Sequence, residues 1–145
     1  MIKKILITGS EGFIGSHLVE FLIKNKYEVN AFCLYNSFDK NGWLDFLDSK
    51  IKKKINIIKG DIRDFKSVCN ALEQCDCVIH LASLIAIPYS YDSPSSYVQT
   101  NVEGTLNVLE ASRILKIKKF IHISSSEVYG TAQYVPIDED HPLVG

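Results

Sequence analysis

The sequence predicts an α/β domain built on a doubly wound parallel sheet, and three observations carry that prediction. Short apolar runs of strand character alternate with segments whose apolar residues recur at three- and four-residue steps. Strands separated by helices imply right-handed crossovers, and hence parallel pairing. Between the first strand-like run and the first helical segment lies Thr8-Gly9-Ser10-Glu11-Gly12-Phe13-Ile14-Gly15, a glycine at every third position.

The elements follow in order. Ile5 to Thr8, within the apolar stretch Ile2 to Ile7, is the first strand. Phe13 to Lys24 is a helix whose predicted apolar face is Ile14, Leu18, Phe21 and Leu22. Glu28 to Leu34 is the second strand. Asn36 to Lys54 is a polar insertion in which Trp43, Leu44, Phe46, Leu47 and Ile51 suit a short amphipathic helix. Ile55 to Lys59 is the third strand, closed by Gly60, and Phe65 to Gln74 is a helix with Val68, Ala71 and Leu72 inward. Cys77 to Leu81 is the fourth strand. The longest helical signal runs from Pro94 to Leu115, with Val98, Val102, Thr105, Leu106 and Leu109 in step and Ser93 as N-cap before Pro94. Lys119 to Ser124 is the fifth strand.

Composition sets limits. The 145 residues are 46% hydrophobic and 23% charged, the balance of one domain over residues 1–145. A net charge of -1 offers no global field to recruit nucleic acid or an acidic membrane. No apolar stretch approaches the ~18 residues of a membrane span. Glycines 9, 12 and 15 interrupt any signal-peptide core, and Lys50 to Lys54 reads as a solvated end of a connecting segment. Cys33, Cys69, Cys75 and Cys77 form no disulfide framework, and Cys75-Asp76-Cys77 lacks a second ligand pair. Reduced thiols, no metal and a cytoplasmic location are expected.

The glycine turn is a phosphate seat. Gly9 permits the tight turn, Gly12 lets a pyrophosphate approach the backbone, and Gly15 lets the helix pack closely on the strand. Free N–H groups and the helix dipole then face the anion. Ligands of such sheets bind beyond the carboxyl ends of the strands, which here carry Gly60-Asp61-Ile62-Arg63-Asp64, His80-Leu81-Ala82-Ser83 and Ser124-Ser125-Ser126-Glu127-Val128-Tyr129-Gly130.

These segments, TGSEGFIG (8–15), GDIRD (60–64), HLAS (80–83), TNVEGTLNVLEAS (100–112) and SSSEVYG (124–130), resemble the N-terminal, Rossmann part of extended short-chain dehydrogenase/reductases, among the nucleotide-sugar epimerases and dehydratases. Further segments resemble one branch: Leu34 to Phe38 with Gly42 to Asp45, Leu84 to Tyr91, and Val128 to Pro142. That branch contains bacterial 4,6-dehydratases of N-acetylglucosamine nucleotides, used in making legionaminic-type nonulosonic acids.

The resemblance implies a homodimer acting on a GDP- or UDP-linked sugar, and roles for particular residues. Gly9, Ser10, Gly12, Phe13, Ile14 and Gly15 would cradle the cofactor pyrophosphate. Asp61 and Ile62 would contact adenine, and Leu81, Ala82 and Ser83 would pass beside the nicotinamide ribose. Asn101 would help order the site. Ser125 would bond the sugar 4-hydroxyl, Glu127 would take the C5 proton, and Ser126 would stand where many relatives place a proton-donating Asp. His17, His80, His122 and His141 are expected to pack rather than catalyse.

Two departures stand out. No acid precedes Asp39 after the second strand, where a carboxylate usually binds the adenosine ribose, and no Arg waits for a 2′-phosphate. Tyr35, Asn36 and Ser37 can hydrogen-bond either form, so NAD is the preferred cofactor with NADP open. Nor does any of the tyrosines at 27, 35, 89, 91, 97, 129 and 134 stand four residues before a lysine, so the family's Tyr-x-x-x-Lys pair is missing. The chain is expected to lack the later strands and substrate lobe, and to be inactive alone. The readings left open are a 4,6-dehydratase part, a 4-epimerase or decarboxylase part, and a non-catalytic dinucleotide-binding module.

Overall fold

A computed structural model describes residues 2–145. Five strands, β1 (Lys4–Thr8), β2 (Glu28–Leu34), β3 (Ile55–Gly60), β4 (Cys77–His80) and β5 (Lys119–His122), form one parallel sheet in the order β3-β2-β1-β4-β5. The chain winds outward from β1 in one direction, then returns to the other side. The switch point lies between β1 and β4, as the doubly wound class requires.

The pleat sorts side chains onto two faces. Ile5 and Ile7 of β1, Val29, Ala31 and Cys33 of β2, and Cys77 and Ile79 of β4 pack against Val19, Leu22 and Ile23 of helix α1 (Phe13–Lys24). Leu6, Phe32 and Val78 face the other way. There they meet Val68, Ala71 and Leu72 of α3 (Phe65–Leu72) and Val108 and Ala111 of α6 (Gly104–Ile114). The inward residues of α3 are those the periodicity indicates.

The α1 face is so only at Leu18 and Leu22. Ile14 and Phe21 are 64% and 61% exposed, and the buried residues are Gly15, Ser16, Val19, Leu22 and Ile23. The helix turns its smallest residues to the sheet because its first turn must approach β1 closely. That rotates the large side chains outward.

The insertion forms a 3-10 turn, Gly42–Phe46, and a short α2, Ser49–Lys52, rather than one helix. Leu44 alone of its hydrophobic residues is fully buried, while Trp43 and Phe46 stay exposed. The helical signal after residue 93 becomes α5 (Pro94–Tyr97), a π-helical stretch Val98–Glu103, and α6, joined through helical backbone at Val98 and Gly104. A short α4 (Ile87–Asp92) precedes them. Ser93 makes no side-chain bond to the helix backbone; its hydroxyl pairs with that of Ser96 at 2.7 Å. β4 and β5 stop at His80 and His122, so Leu81 and Ile123–Ser124 belong to the loops beyond them.

One polar tie was invisible to periodicity. Asn30, buried in β2, donates to Ala71 O at 3.1 Å and accepts from Asn56 Nδ2 at 2.9 Å, linking β2 to α3 and β3.

Candidate functional site

The glycine turn is built by close backbone approach. Gly9 has φ +67°, and a Cβ there would meet Ala82 N and Cα at 2.9 Å. A Cβ on Gly15 would overlap Gly9 O. The turn is closed by Gly12 N donating to Gly9 O at 3.1 Å, and α1 begins as Ser16 N reaches Gly12 O at 3.0 Å. Any side chain at either position would fill the space where the turn, the helix and the β4 loop converge.

Beneath the turn runs a chain of hydroxyl and imidazole groups. Thr8 Oγ1 accepts N–H bonds from Leu81 and Ala82, both at 3.1 Å. Its own hydrogen then goes to His80 Nδ1, 2.7 Å away. That leaves the imidazole hydrogen on Nε2, facing Thr105 Oγ1 at 3.0 Å, and Thr105 passes its hydrogen to Asn101 O at 2.7 Å. His80 is neutral in this arrangement. Burial, and secondarily the His122 ring stacked 5.6 Å from it, push its pKa down to about 4. Asn101 continues the chain by bonding both backbone groups of Leu84, at 2.8 and 2.9 Å. It sits in the π-helical stretch, a local winding often found at functional sites. The loop 81–84 is thus fixed from β1 and from the helix.

At the end of β3, the Arg63 guanidinium grips Asp61 and holds its carboxyl below the usual range. Ile62 is buried under Gly104, and Asn107 Nδ2 clamps the carbonyls of Ile62 and Arg63 at 2.9 and 3.0 Å. At the β5 end, Ser125 Oγ accepts Glu127 N–H at 3.2 Å and caps a 3-10 turn, Ser126–Tyr129.

These strand ends enclose one cleft of about 960 Å³. A cradle that any Cβ would fill, an open helix N-terminus and flanking loops beyond four strands suit an elongated dinucleotide.

The profile of the family described as GDP-mannose 4,6 dehydratase matches residues 6–145. The chain belongs to this family of nucleotide-sugar epimerases and dehydratases. A putative UDP-glucose 4-epimerase of Methanocaldococcus jannaschii is 37% identical over 142 residues, 96% of this chain and 44% of the relative. A dTDP-D-glucose 4,6-dehydratase of Dictyostelium discoideum is 34% identical, over 97% of this chain and 33% of its own length. The crystal structure of UDP-glucose 4-epimerase from Bifidobacterium longum, in complex with NAD+ and UDP, superposes with a TM-score of 0.84. It is 31% identical, covering 99% of this chain and 43% of that one. The chain therefore spans less than half the length of these relatives.

Of the residues the family resemblance marks, Gly9, Gly12, Phe13, Ile14, Gly15, Asp61, Ile62, Leu81, Ala82, Ser83, Ser125 and Ser126 line the cleft. Five stand off its wall. Ser10 is buried and gives its hydroxyl to Ile7 O at 2.6 Å. Tyr35 is 69% exposed, and Asn36 closes its own loop through Lys40 N and O. Asn101 acts on Leu84 from behind, and Glu127 lies exposed one residue beyond the lining. Sequence reasoning missed Glu11, Phe32, Leu34, Arg63 and Tyr89 as lining residues. The signal for Glu11 was present, an acid inside the glycine turn, but the expected position lay some 20 residues downstream.

Proposed function

We propose that this chain is the cofactor-binding part of an NAD-dependent nucleotide-sugar 4,6-dehydratase. The observation that carries the reading is the Ser125-Ser126-Glu127 run at the open end of β5, whose serines share one cleft with the Leu81–Ser83 loop and the glycine turn. The LYNSF (34–38) and GWLD (42–45) segments favour the branch acting on GDP- or UDP-linked N-acetylglucosamine.

Gly9, Gly12 and Gly15 with the N-terminus of α1 would hold the pyrophosphate, Asp61 and Ile62 the adenine, and Leu81 to Ser83 the nicotinamide ribose. The dinucleotide, when bound, would supply the hydride chemistry, oxidation at C4 and reduction at C6. Ser125 accepts the Glu127 N–H on one lone pair and keeps its hydrogen for the sugar 4-oxygen, while the 4-hydroxyl proton would pass to the tyrosine of the family's Tyr-x-x-x-Lys pair in the full-length protein. The 4-keto group acidifies the C5 proton, and the Glu127 carboxylate takes it. Ser126, a hydroxyl that can only relay, would pass a proton from solvent water to the departing 6-hydroxyl, which leaves as water.

The exposed stripe Val98, Val102, Leu106 and Leu109, each 45–62% accessible, supports a helix-mediated homodimer. Among the described residues all four thiols are free, which fits a cytoplasmic setting, and no helix is long and apolar enough to cross a membrane.

The test is product analysis by NMR. The full-length protein, given GDP- and UDP-N-acetylglucosamine, is expected to yield a 4-keto-6-deoxy sugar, whereas a C4 epimer or a pentose would replace this reading by epimerase or decarboxylase. The 145-residue chain, without Tyr-x-x-x-Lys, is expected to bind NAD weakly and form no keto-sugar.

A further inference from the structure

One carboxylate in the cleft has no part in the chemistry above. Glu11 stands inside the glycine turn and lines the cleft. Its side chain crosses to the end of β2, where Oε1 accepts the Leu34 N–H at 2.8 Å. The other oxygen, Oε2, is sealed from solvent and, among the described residues, is the one buried side-chain polar atom without a hydrogen-bond partner. A carboxylate oxygen shut away from water without a donor is costly, and a donor brought to it is correspondingly stabilising.

The residue is held from outside as well. Trp43 N donates to Glu11 O at 2.9 Å, and Gly42, at φ +56°, packs so tightly that a Cβ would overlap that carbonyl. The insertion after β2 therefore braces the backbone of this residue.

The location gives the orphan oxygen a purpose. In sheets of this class the adenosine ribose lies at the carboxyl end of the second strand, where its hydroxyls meet an acid. Here β2 ends Phe32-Cys33-Leu34, followed by Tyr35, with no acid. Cys33 is turned into the core, and burial raises its thiol to about 12, so it supplies no anion. Asp61, a strand further on, is paired with Arg63 and is the acid assigned above to the adenine, so the ribose falls to another group.

We propose that Glu11 is the ribose-binding acid of this cleft, accepting a hydrogen bond from the adenosine 2′-hydroxyl and repelling a 2′-phosphate, so that the site selects NAD over NADP. The acid stands in the glycine turn and reaches across to the end of β2. The terminal torsion of Glu is broad, so a turn of the carboxylate that slackens its bond to Leu34 N–H brings Oε2 out of its sealed position toward the ribose. This assignment rests on the cleft being a nicotinamide dinucleotide site.

The test is isothermal titration of the chain, and of Glu11→Gln and Glu11→Ala, with NAD+ and NADP+, alongside thermal melts. The unsubstituted chain should bind NAD+ at least about tenfold more tightly than NADP+, the scale of a lost or repelled charge-assisted hydrogen bond. Glu11→Gln should reduce that preference to less than about twofold. A turn that was merely loosened would weaken both ligands alike and leave the ratio unchanged. An unchanged ratio in a folded variant overturns the assignment but leaves the cofactor reading intact. Equal or tighter NADP+ binding by the unsubstituted chain overturns the assignment without any variant. Failure to bind either dinucleotide overturns the cofactor reading, and the assignment with it.

Discussion

At the β1–β4 end of the cleft, Thr8, Ser10 and His80 are buried and bonded to one another or to the backbone. At the β5 end, Ser124 to Val128 are exposed, and Ser125 is tied only to its own turn at Glu127 N. The same cleft is thus rich in internal polar bonds at the β1–β4 end and nearly bare of them at the β5 end. The difference teaches how the two jobs divide. A ligand bound through its backbone-facing phosphates and ribose requires a fixed cradle, and here the fold's innermost strands make it. If, as proposed, Ser125 to Glu127 exchange protons with a sugar, they must be reachable, and they lie exposed beyond β5.

The sharpest way to break this contrast is Thr8→Val. Valine keeps the shape but removes a hydroxyl that serves Leu81 N, Ala82 N and His80 Nδ1 together. Leaving such groups without partners costs about 1–3 kcal/mol each, so a loss of about 4 kcal/mol is expected in urea unfolding. The Leu81–Ser83 loop should release with it, seen as faster amide exchange at Leu81 and Ala82. A loss under about 1 kcal/mol would mean that the cradle is no more fixed than the β5 end.

What could be read from the sequence follows the same divide. The strands and the inward face of α3 repeat with the period of their secondary structure, so β2 is found where the pattern puts it and Val68, Ala71 and Leu72 point inward. The glycine turn was legible because its spacing is dictated by covalent geometry. The α1 face was legible only at Leu18 and Leu22, since close packing at Gly15 and Ser16 overrides the size of Ile14 and Phe21. The Thr8–His80–Thr105 chain was not legible, because its members lie far apart in sequence and meet only across β1, β4 and the long helix. Glu11 escaped for a related reason: its carboxylate acts at Leu34, 23 residues from its own position.

Acid should act on the two ends differently, with the next largest effect. Unfolded, His80 takes a proton near pH 6.5; folded, it does so only at about 4. Its contribution to stability is whole above 6.5 and is lost as pH falls from 6.5 toward 4, because the unfolded chain binds the extra proton. Between pH 7 and 4.5 the loss is about 2 kcal/mol. The geometry gives the same sign: a protonated Nδ1 would point at Thr8 Oγ1, whose lone pairs already serve two N–H groups. Asp61 and Asp76, both held below the ordinary carboxyl range by hydrogen bonds, add to acid loss only below about pH 4, where unfolded carboxyls protonate. Urea unfolding of the chain and of His80→Gln at both pH values checks the window, since the variant should lose the slope between 6.5 and 4.5 and keep the one below it.

The smallest expected effect on stability is at Glu127. Its exposed carboxylate and the local Ser125 cap contribute little to folding, so Glu127→Gln should shift the unfolding free energy by less than about 0.5 kcal/mol. The same change in the full-length protein should slow formation of the 4-keto-6-deoxy product by at least about 100-fold, because the amide cannot take the C5 proton. The dissociation between the two readouts is what distinguishes a reactive edge from a structural one. If Glu127→Gln instead cost as much stability as Thr8→Val, the β5 turn would belong to the cradle. The serines beside it would then owe their position in the cleft wall to packing, not to the substrate.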